Sequence, residues 1–289
     1  MSYTLPVDVD ERPVAIDGAG TLGQRLAAVY SAGGTDVRIF DVSAHQREVA
    51  TEYAVRHADD VKRKLGLDAA RPGNVEPAGD LEAAVRGAWM VIEAVPERLE
   101  LKREVFGELD RLADADAILA SNSSSLPTRL LIENVGHPER VLNAHYQQPP
   151  ELNAVELMSC GQTDPGIIDA LMDRLPRYGL VPFHVRRESD GFIFNRIWAA
   201  IKRESLMVVE EGVARAEDVD GMWDIWVRAG IAPFALMDRV GLDVVLNIEE
   251  HYAEVRPGIP VGPRKLLSEY IDQGRLGVKS GRGFYDHPS

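Results

Sequence analysis

The sequence predicts an α/β fold, a doubly wound parallel sheet, followed by an all-helical C-terminal domain. Near the N-terminus, a short apolar run, a glycine-rich turn and a helix-prone segment follow one another within residues 13–34. Apolar strands then alternate with helical segments up to residue 185, a pattern typical of a parallel sheet covered by helices. After Asp190 nearly every segment has helical character. We therefore expect two domains, residues 1–187 and 188–289.

The composition limits the classes of function. The 289 residues carry a net charge of −14, which argues against a nucleic-acid or anionic-membrane surface, since such surfaces need clustered lysine and arginine. Cys160 is the only cysteine, which excludes an intrachain disulfide and a cysteine-rich zinc site, and we expect no metal. The polar first residues do not resemble a signal or transit peptide, and no apolar run approaches the roughly 18 residues of a membrane span. A cytoplasmic location is expected.

The first element is a strand at residues 13–16, followed by the sequence GAGTLG and a helix. Gly18 would permit a tight turn, Gly20 would let a pyrophosphate approach the backbone, and Gly23 would let the helix pack close to the strand. The N-terminus of the helix would then face the phosphates. The candidate cofactor-binding residues of this turn are Gly18, Gly20, Thr21, Leu22 and Gly23.

Two aspartates near the predicted cofactor turn need an interpretation. Asp41 ends the second strand, roughly 20 residues past the glycines, where an acid accepts hydrogen bonds from ribose hydroxyls and repels a 2′-phosphate. This position favours NAD over NADP. Asp17 precedes the first glycine, where an apolar residue is more usual, and we expect strand alternation to turn it away from the phosphates.

The next elements continue the alternation. Residues 43–65 form a polar helix, residues 71–79 a loop rich in proline and glycine, and residues 89–95 a buried strand before a further helix. Glu97 and Lys102 flank the start of that helix, and a plain surface pair is the alternative interpretation. A strand at 117–120 then opens into SNSSSLP, which is either a helix N-cap or a ligand site at the carboxyl end of a strand.

The stretch Val141–Met158 carries the candidate chemistry. His145 and Glu156 stand on either side of a turn containing Pro149-Pro150. Histidine suits a general base because its reference pKa of roughly 6.5 lies near working pH. A carboxylate on its second ring nitrogen would fix the tautomer and stabilise the imidazolium. A helix at 164–179 and a strand at 180–185 follow, and then helices at 191–212, 216–230 and 232–254.

The ordered motifs resemble the 3-hydroxyacyl-CoA dehydrogenase family over nearly the whole chain. They are GAGTLG, the strand end at Asp41, VIEAVPERLELKREVF, ASNSSSL, HPERVLNAHYQQPP…VEL, SDGFIFNRI, APFALMDRVGLD and GVKSGRGFY. The resemblance implies a Rossmann-like NAD-binding domain, a helical domain and a homodimer built on the C-terminal domain. The extensive apolar faces of the predicted C-terminal helices also favour a dimer.

The resemblance also assigns roles to individual residues. The implied catalytic set is Ser124, His145, Glu156 and Asn195, with Ser124 and Asn195 also binding substrate. The implied cofactor contacts outside the glycine turn are Asp41, Glu97, Lys102, Asn122, Gln148 and Lys279. Lys64 falls where the family has a lysine that contacts CoA.

The chain departs from the family around its histidine. Family members commonly read His-Phe-Phe-Asn-Pro, whereas this chain reads HYQQP, so Gln148 takes the place of a cofactor-contacting asparagine. The loop from His145 to Glu156 is one residue shorter than in typical members, and His57 falls near the place of a CoA-contacting serine.

The leading hypothesis is an NAD-dependent dehydrogenase that interconverts a 3-hydroxyacyl thioester, bound to CoA or a carrier, and its 3-oxo form. Such an enzyme would serve fatty acid metabolism. The alternative is a dehydrogenase of a free small 3-hydroxy acid, like L-gulonate or carnitine dehydrogenase. A third interpretation is a non-catalytic NAD-binding protein of the crystallin type.

Overall fold

The structure, a computed structural model, describes residues 3–67, 71–227 and 232–287. The chain forms two compact units, Met1–Ile193 and Phe194–Ser289. The division expected after residue 187 lies shortly before this point. Each unit is described by itself.

The first unit is built on one eight-stranded sheet with the order β3-β2-β1-β4-β5-β6-β7-β8. Its strands are Val14–Asp17 (β1), Val37–Phe40 (β2), Val75–Pro77 (β3), Met90–Glu93 (β4), Ile118–Ser121 (β5), Val141–Gln148 (β6), Leu152–Ser159 (β7) and Val181–Val185 (β8). Its α-helices are Thr21–Ala32 (α1), Ala44–Leu65 (α2), Leu81–Val85 (α3), Leu99–Leu112 (α4) and Pro165–Arg174 (α5). The predicted α/β class is confirmed.

The sheet is parallel from β3 through β6, and β7 then runs antiparallel to β6. The final strand, β8, is parallel to β7. The direction reverses because only residues 149–151 connect β6 to β7, which is far too short for the crossover that a parallel pair needs. The strand β3 lies inside the stretch that the sequence indicated as a loop. It is a three-residue edge strand ending in a proline, and so carries little strand signal.

Strand alternation supplies two cores, one on each face of the sheet. Ile16, Ile39 and Ile92 pack with α1, α2 and α5. Ala15 and Val91 pack on the opposite face with α3 and α4. Strands covered on both faces read as continuous apolar runs, which explains why they were recognisable in the sequence.

A charged pair is buried where β4 ends. The side chains of Glu93 and Lys102 are 0% and 1% exposed, and Lys102 Nζ lies 2.6 Å from Glu93 Oε1. Ser121 Oγ donates to Glu93 Oε2 at 2.7 Å, and the backbone N–H of Val95 donates to Oε1 at 2.8 Å. The carboxylate is therefore fully bonded although it is buried, as a buried charge must be.

Asp17 lies close to this pair. Alternation places it on the same face as Ala15, on the α4 side of the sheet and away from α1. It is 4% exposed, and within the described residues its Oδ2 has no hydrogen-bond partner. Burial, with the nearby charges of Glu93 and Asp41, raises the pKa of Asp17 to about 7. The first strand thus contains an acid that folding holds in its protonated form below neutral pH.

The second unit is helical. Its helices are Phe194–Glu210 (α6), Ala216–Val227 (α7), Pro233–Val240 (α8), Leu242–Val255 (α9) and Gly262–Asp272 (α10). The predicted segment 232–254 is two helices rather than one, because Gly241 between them has a φ of +100°, which interrupts the helical backbone. Residues 228–230 of the predicted helix 216–230 lie outside the described residues. Within 194–227 and 232–287, only isolated β-bridges occur.

Two buried aspartates hold the end of this unit. Asp238 accepts hydrogen bonds from the backbone N–H of Phe284 at 2.8 Å and of Tyr285 at 2.9 Å, and from Nε2 of His287 at 2.8 Å. Asp220 accepts the Tyr285 hydroxyl at 2.7 Å. The sequence motif GVKSGRGFY is therefore bonded through its last two residues to α7 and α8 of the same unit.

No helix in the described part of the chain combines the length and apolar character that a membrane span requires.

We predict that Asp17→Asn stabilises the protein in a pH-dependent way. The pKa of Asp17 is higher in the folded chain than in the unfolded chain, so the contribution of Asp17 to wild-type stability falls as pH rises from about 4 to about 7. The variant lacks this loss. Its free energy of unfolding, measured by urea denaturation, should exceed that of wild type by up to about 4 kcal/mol at pH 8. The two should converge near pH 4.

The matched control is Asp59→Asn, which changes an exposed carboxylate on α2. It should follow the wild-type pH profile. An Asp17→Asn profile parallel to that of wild type between pH 4 and 8 would contradict the prediction.

Candidate active site

The glycine turn between β1 and α1 has the close contacts expected of a phosphate-binding turn. Gly18 has a φ of +109°, and a Cβ placed there would lie 2.6 Å from the carbonyl carbon of Ala94. A Cβ at Gly23 would lie 1.8 Å from the carbonyl oxygen of Gly18, so the helix touches the turn directly. At Gly20, the N-cap of α1, no atom of the described residues lies within 4 Å of such a Cβ.

The open approach at Gly20 leads to the N-terminus of α1, which begins with Thr21 and Leu22 and has no acidic residue in its first turn. Unpaired backbone N–H groups and the helix dipole make such an end suitable for an anion. These residues therefore fit the pyrophosphate of a dinucleotide.

Asp41 is bonded to the same turn. Its Oδ2 accepts the backbone N–H of Ala19 at 2.9 Å, and its Oδ1 accepts that of Ser43 at 2.9 Å. Arg47 Nη1 donates to the carbonyl oxygen of Asp41 at 2.7 Å. A carboxylate has about four acceptor sites, so Asp41 keeps capacity for ribose hydroxyls after these two bonds.

The SNSSS loop after β5 is held by Glu97. The hydroxyls of Ser123 and Ser125 both donate to Glu97 Oε1, the latter at 2.7 Å. Lys102 Nζ lies 3.2 Å from Glu97 Oε2. Burial acts to raise the pKa of Glu97, but Lys102 and the serine hydroxyls outweigh it, so the pKa lies below its usual range. Ser124, between the two bonded serines, is exposed.

Lys102 is therefore not a surface residue. It is fully buried and joins Glu93 to Glu97, so the alternative of a plain surface pair is wrong. Asn122 links this loop to the next strand, because its Oδ1 accepts the backbone N–H of Tyr146 at 3.0 Å. The loop after β5 and the middle of β6 are thus bonded together at the carboxyl edge of the sheet.

His145 and Glu156 face each other directly across the β6–β7 hairpin. The distance between His145 Nδ1 and Glu156 Oε2 is 2.8 Å, and the two residues are only 5% and 3% exposed. An ionised carboxylate can only accept, so Nδ1 carries the proton and Nε2 of the neutral ring is left with its lone pair. This is the arrangement that a histidine general base requires.

Three further residues of this pair's surroundings were not predicted from sequence. The backbone N–H of Ile193 donates to Glu156 Oε1 at 2.7 Å. The Phe192 ring lies with its centroid 5.0 Å from that of His145. Gln147 Nε2 donates to Glu156 Oε2 at 3.1 Å. The SDGFIF motif indicated the loop that carries Phe192 and Ile193, but a contact made by a backbone N–H leaves no mark in the sequence.

The strand β6 is also tied to α1. Tyr146 points to the face opposite His145, and its hydroxyl lies 2.5 Å from that of Tyr30. Both tyrosines are fully buried. The helix α1, which follows the glycine turn, and the strand β6, which carries His145, are therefore joined by a hydrogen bond inside the core.

Two further predicted residues of the first unit are Gln148 and Lys64. Gln148 is exposed at the end of β6, beside an irregularity in the β6–β7 register. Lys64, at the end of α2, pairs with Asp60 at 2.9 Å and with Glu151 in the β6–β7 turn at 3.1 Å. Arg25 also pairs with Glu151, at 2.9 Å. Lys64 is thus paired with two acids, which Arg25 and Arg63 share with it.

Two predicted residues belong to the second unit. Asn195 is the second residue of α6. Lys279 pairs with Asp243, with its Nζ 2.5 Å from Oδ1 and 2.6 Å from Oδ2. Among the described residues, no group of three or more histidine, cysteine, aspartate or glutamate side chains is placed to hold a metal ion.

Comparison with known proteins gives matches along almost the whole chain. Residues 13–189 match the NAD-binding domain of 3-hydroxyacyl-CoA dehydrogenase, and residues 191–287 match the C-terminal domain of 3-hydroxyacyl-CoA dehydrogenase. The 5-formyl-3-hydroxy-2-methylpyridine 4-carboxylate 5-dehydrogenase of Mesorhizobium japonicum is 34% identical over 281 residues, covering 95% of this chain and 90% of that protein.

Two further relatives are named as 3-hydroxybutyryl-CoA dehydrogenases. A probable 3-hydroxybutyryl-CoA dehydrogenase of Bacillus subtilis is 31% identical over 288 residues, covering 96% of this chain and 97% of that protein. The crystal structure of (S)-3-hydroxybutyryl-CoA dehydrogenase from Ralstonia eutropha has a TM-score of 0.84 at 28% identity, covering 96% of this chain and 99% of that one. With both of its units matched in this way, the chain belongs to the 3-hydroxyacyl-CoA dehydrogenase family and is an NAD-dependent oxidoreductase.

Proposed function

We propose that the protein interconverts a 3-hydroxyacyl thioester, bound to CoA or a carrier, and its 3-oxo form. The observation that carries the proposal is the buried hydrogen bond between His145 and Glu156, directly opposed across the hairpin. A secondary alcohol can be oxidised only when its hydroxyl proton has an acceptor, and Nε2 of His145 is that acceptor in our proposal. The same geometry argues against a non-catalytic protein of the crystallin type.

In the proposed oxidation, His145 Nε2 removes the hydroxyl proton at C3. Glu156 keeps Nδ1 protonated and stabilises the imidazolium that forms. NAD⁺, when bound, supplies the hydride acceptor. In the reverse direction the imidazolium returns its proton to the 3-oxo group. We assign substrate-oxygen binding to Ser124 and Asn195, which stays a proposal from the family resemblance.

A free hydroxy acid is the second candidate substrate, and the pairing of Lys64 favours it. Asp60 and Glu151 already pair with the lysine that the resemblance assigns to CoA. The relative from Mesorhizobium is named for a pyridine carboxylate rather than a thioester. A CoA phosphate would have to displace Glu151 from Lys64, whereas a small acid would leave this ion pair intact.

We further propose a homodimer built on the second unit. Its helices expose apolar side chains that a single chain leaves in water. They include Ile197, Met222, Ile225, Trp226, Val244 and Ile248. Clusters of exposed large apolar residues mark interaction surfaces more often than scattered single ones do.

His145→Ala should lower kcat by roughly 10²–10⁴-fold, because a single positioned base contributes about that much. The dissociation constant of NADH, measured by its fluorescence, should stay within a few-fold of the wild-type value. The control is His251→Ala, which changes an exposed histidine on α9. Wild-type turnover in the His145→Ala variant would refute the base assignment.

NADH oxidation with acetoacetyl-CoA and with free acetoacetate distinguishes the two substrate classes. A thioester enzyme should prefer acetoacetyl-CoA by at least roughly tenfold in kcat/KM. Glu151→Gln should raise kcat/KM for acetoacetyl-CoA alone, because it removes one of the two acids that compete with a phosphate for Lys64. The control is Glu52→Gln, which removes a similar exposed acid from α2. Activity confined to the free acid would reject the thioester assignment.

Trp226→Asp should convert the dimer to a monomer at micromolar concentration. The Trp226 side chain is 81% exposed, and a charge there cannot be buried against a second chain without a large desolvation cost. Light scattering coupled to size exclusion measures the mass. Val55→Asp, an exposed valine on α2, is the control and should stay dimeric. A monomeric wild-type protein would contradict the proposal.

A further inference from the structure

Gln147 shares one carboxylate oxygen with the candidate base. Its Nε2 donates to Glu156 Oε2 at 3.1 Å, and this is the oxygen that accepts His145 Nδ1–H at 2.8 Å. Gln147 Nε2 and His145 Nδ1 lie 3.5 Å apart. Both are donors in this arrangement, so they converge on one acceptor rather than bonding to each other.

The position of Gln147 follows from the strand geometry. His145 and Gln147 are two residues apart on β6 and project to the same face, where Glu156 lies on the opposite strand. The register between β6 and β7 shifts between Tyr146 and Gln148. One residue of β6, Gln147, there faces two residues of β7, so the extra residue lies on β7 and the alternation along β6 that places Gln147 beside His145 is kept.

Both carboxylate oxygens of Glu156 consequently accept hydrogen bonds. The backbone N–H of Ile193 bonds to Oε1, and His145 and Gln147 bond to Oε2. Family members that read His-Phe-Phe-Asn-Pro have a phenylalanine at the place of Gln147, and a phenyl ring cannot donate a hydrogen bond. This chain therefore has a side-chain donor that a phenylalanine does not supply.

We infer that Gln147 is a positioning residue, which fixes the Glu156 carboxylate on His145 and weakens its hold on the protonated ring. The inference rests on the proposed role of His145 as the base. An amide that donates to a carboxylate oxygen withdraws part of its negative charge, so the carboxylate stabilises the imidazolium less.

Residues of β8 and of the loop before α6 lie beside this pair. Phe183 pairs with Glu156 from β8, and Phe192 covers the ring of His145. The loop before Phe192 carries Glu188, which pairs with Arg129 at 2.7 Å, and Asp190.

The test compares Gln147→Met, which keeps the length of the side chain and removes the donor, with wild type. The kcat should fall roughly tenfold near neutral pH, and the acid limb of the kcat/KM profile for alcohol oxidation should move up by about half a pH unit. KM for NAD⁺ should stay within twofold. Gln147→Asn should restore part of the wild-type profile, and Gln162→Met, an exposed glutamine elsewhere, should leave it unchanged.

A second readout separates this inference from the proposed function. In the protein labelled with ¹⁵N-histidine, NMR follows the titration of the His145 ring without turnover, with His145→Ala assigning the signal. Gln147→Met should move this titration to higher pH. A shifted titration in a protein that turns over no hydroxyacyl substrate would reject the proposed function alone. Unshifted titration and an unshifted pH profile would overturn the role of Gln147.

Discussion

The cross-strand hydrogen bond between His145 and Glu156 depends on a single reversal of chain direction. The strands β1 to β6 all run parallel, and only the three-residue turn after β6 sends β7 back along its neighbour. A parallel connection would need at least a dozen residues and would place the glutamate elsewhere. The short turn instead sets the two side chains directly opposite each other. The loop at Ile193 and the amide of Gln147 then complete a site whose register is already determined.

The buried pair of Glu93 and Lys102 positions a loop, whereas its contribution to stability is small. Taking two charges out of water costs more than their attraction usually returns, so such a pair is weak evidence for stability. Here Lys102 also reaches Glu97, which in turn binds the hydroxyls of two serines in the SNSSS loop. The charges therefore position a loop at the carboxyl edge of the sheet. Residues that the family resemblance assigns to the cofactor thus also brace the loop that presents Ser124.

Local patterns predicted much of the fold and part of the site. The glycine spacing predicted the turn at Gly18, and the strand end predicted Asp41, because both depend on residues close together in the chain. The edge strand at 75–77 was missed because it is too short to alternate. The contact of Gln147 with Glu156 could not be predicted, since it is defined only by the register of the hairpin. The break at Gly241 was missed because glycine is tolerated within helical patterns.

The hydrogen bond between Tyr30 and Tyr146 has a consequence for how this family can vary. A slip of β6 by one residue would exchange the faces of Tyr146 and His145. The Tyr146 hydroxyl is buried and bonds to Tyr30 on the dinucleotide helix, so the slipped strand would lose that bond in an apolar core. Loss of either tyrosine alone leaves the other hydroxyl unsatisfied. Positions 30 and 146 are therefore expected to change together during evolution. Substitutions in the helix α1 are in this way linked to substitutions in the strand β6, which carries His145.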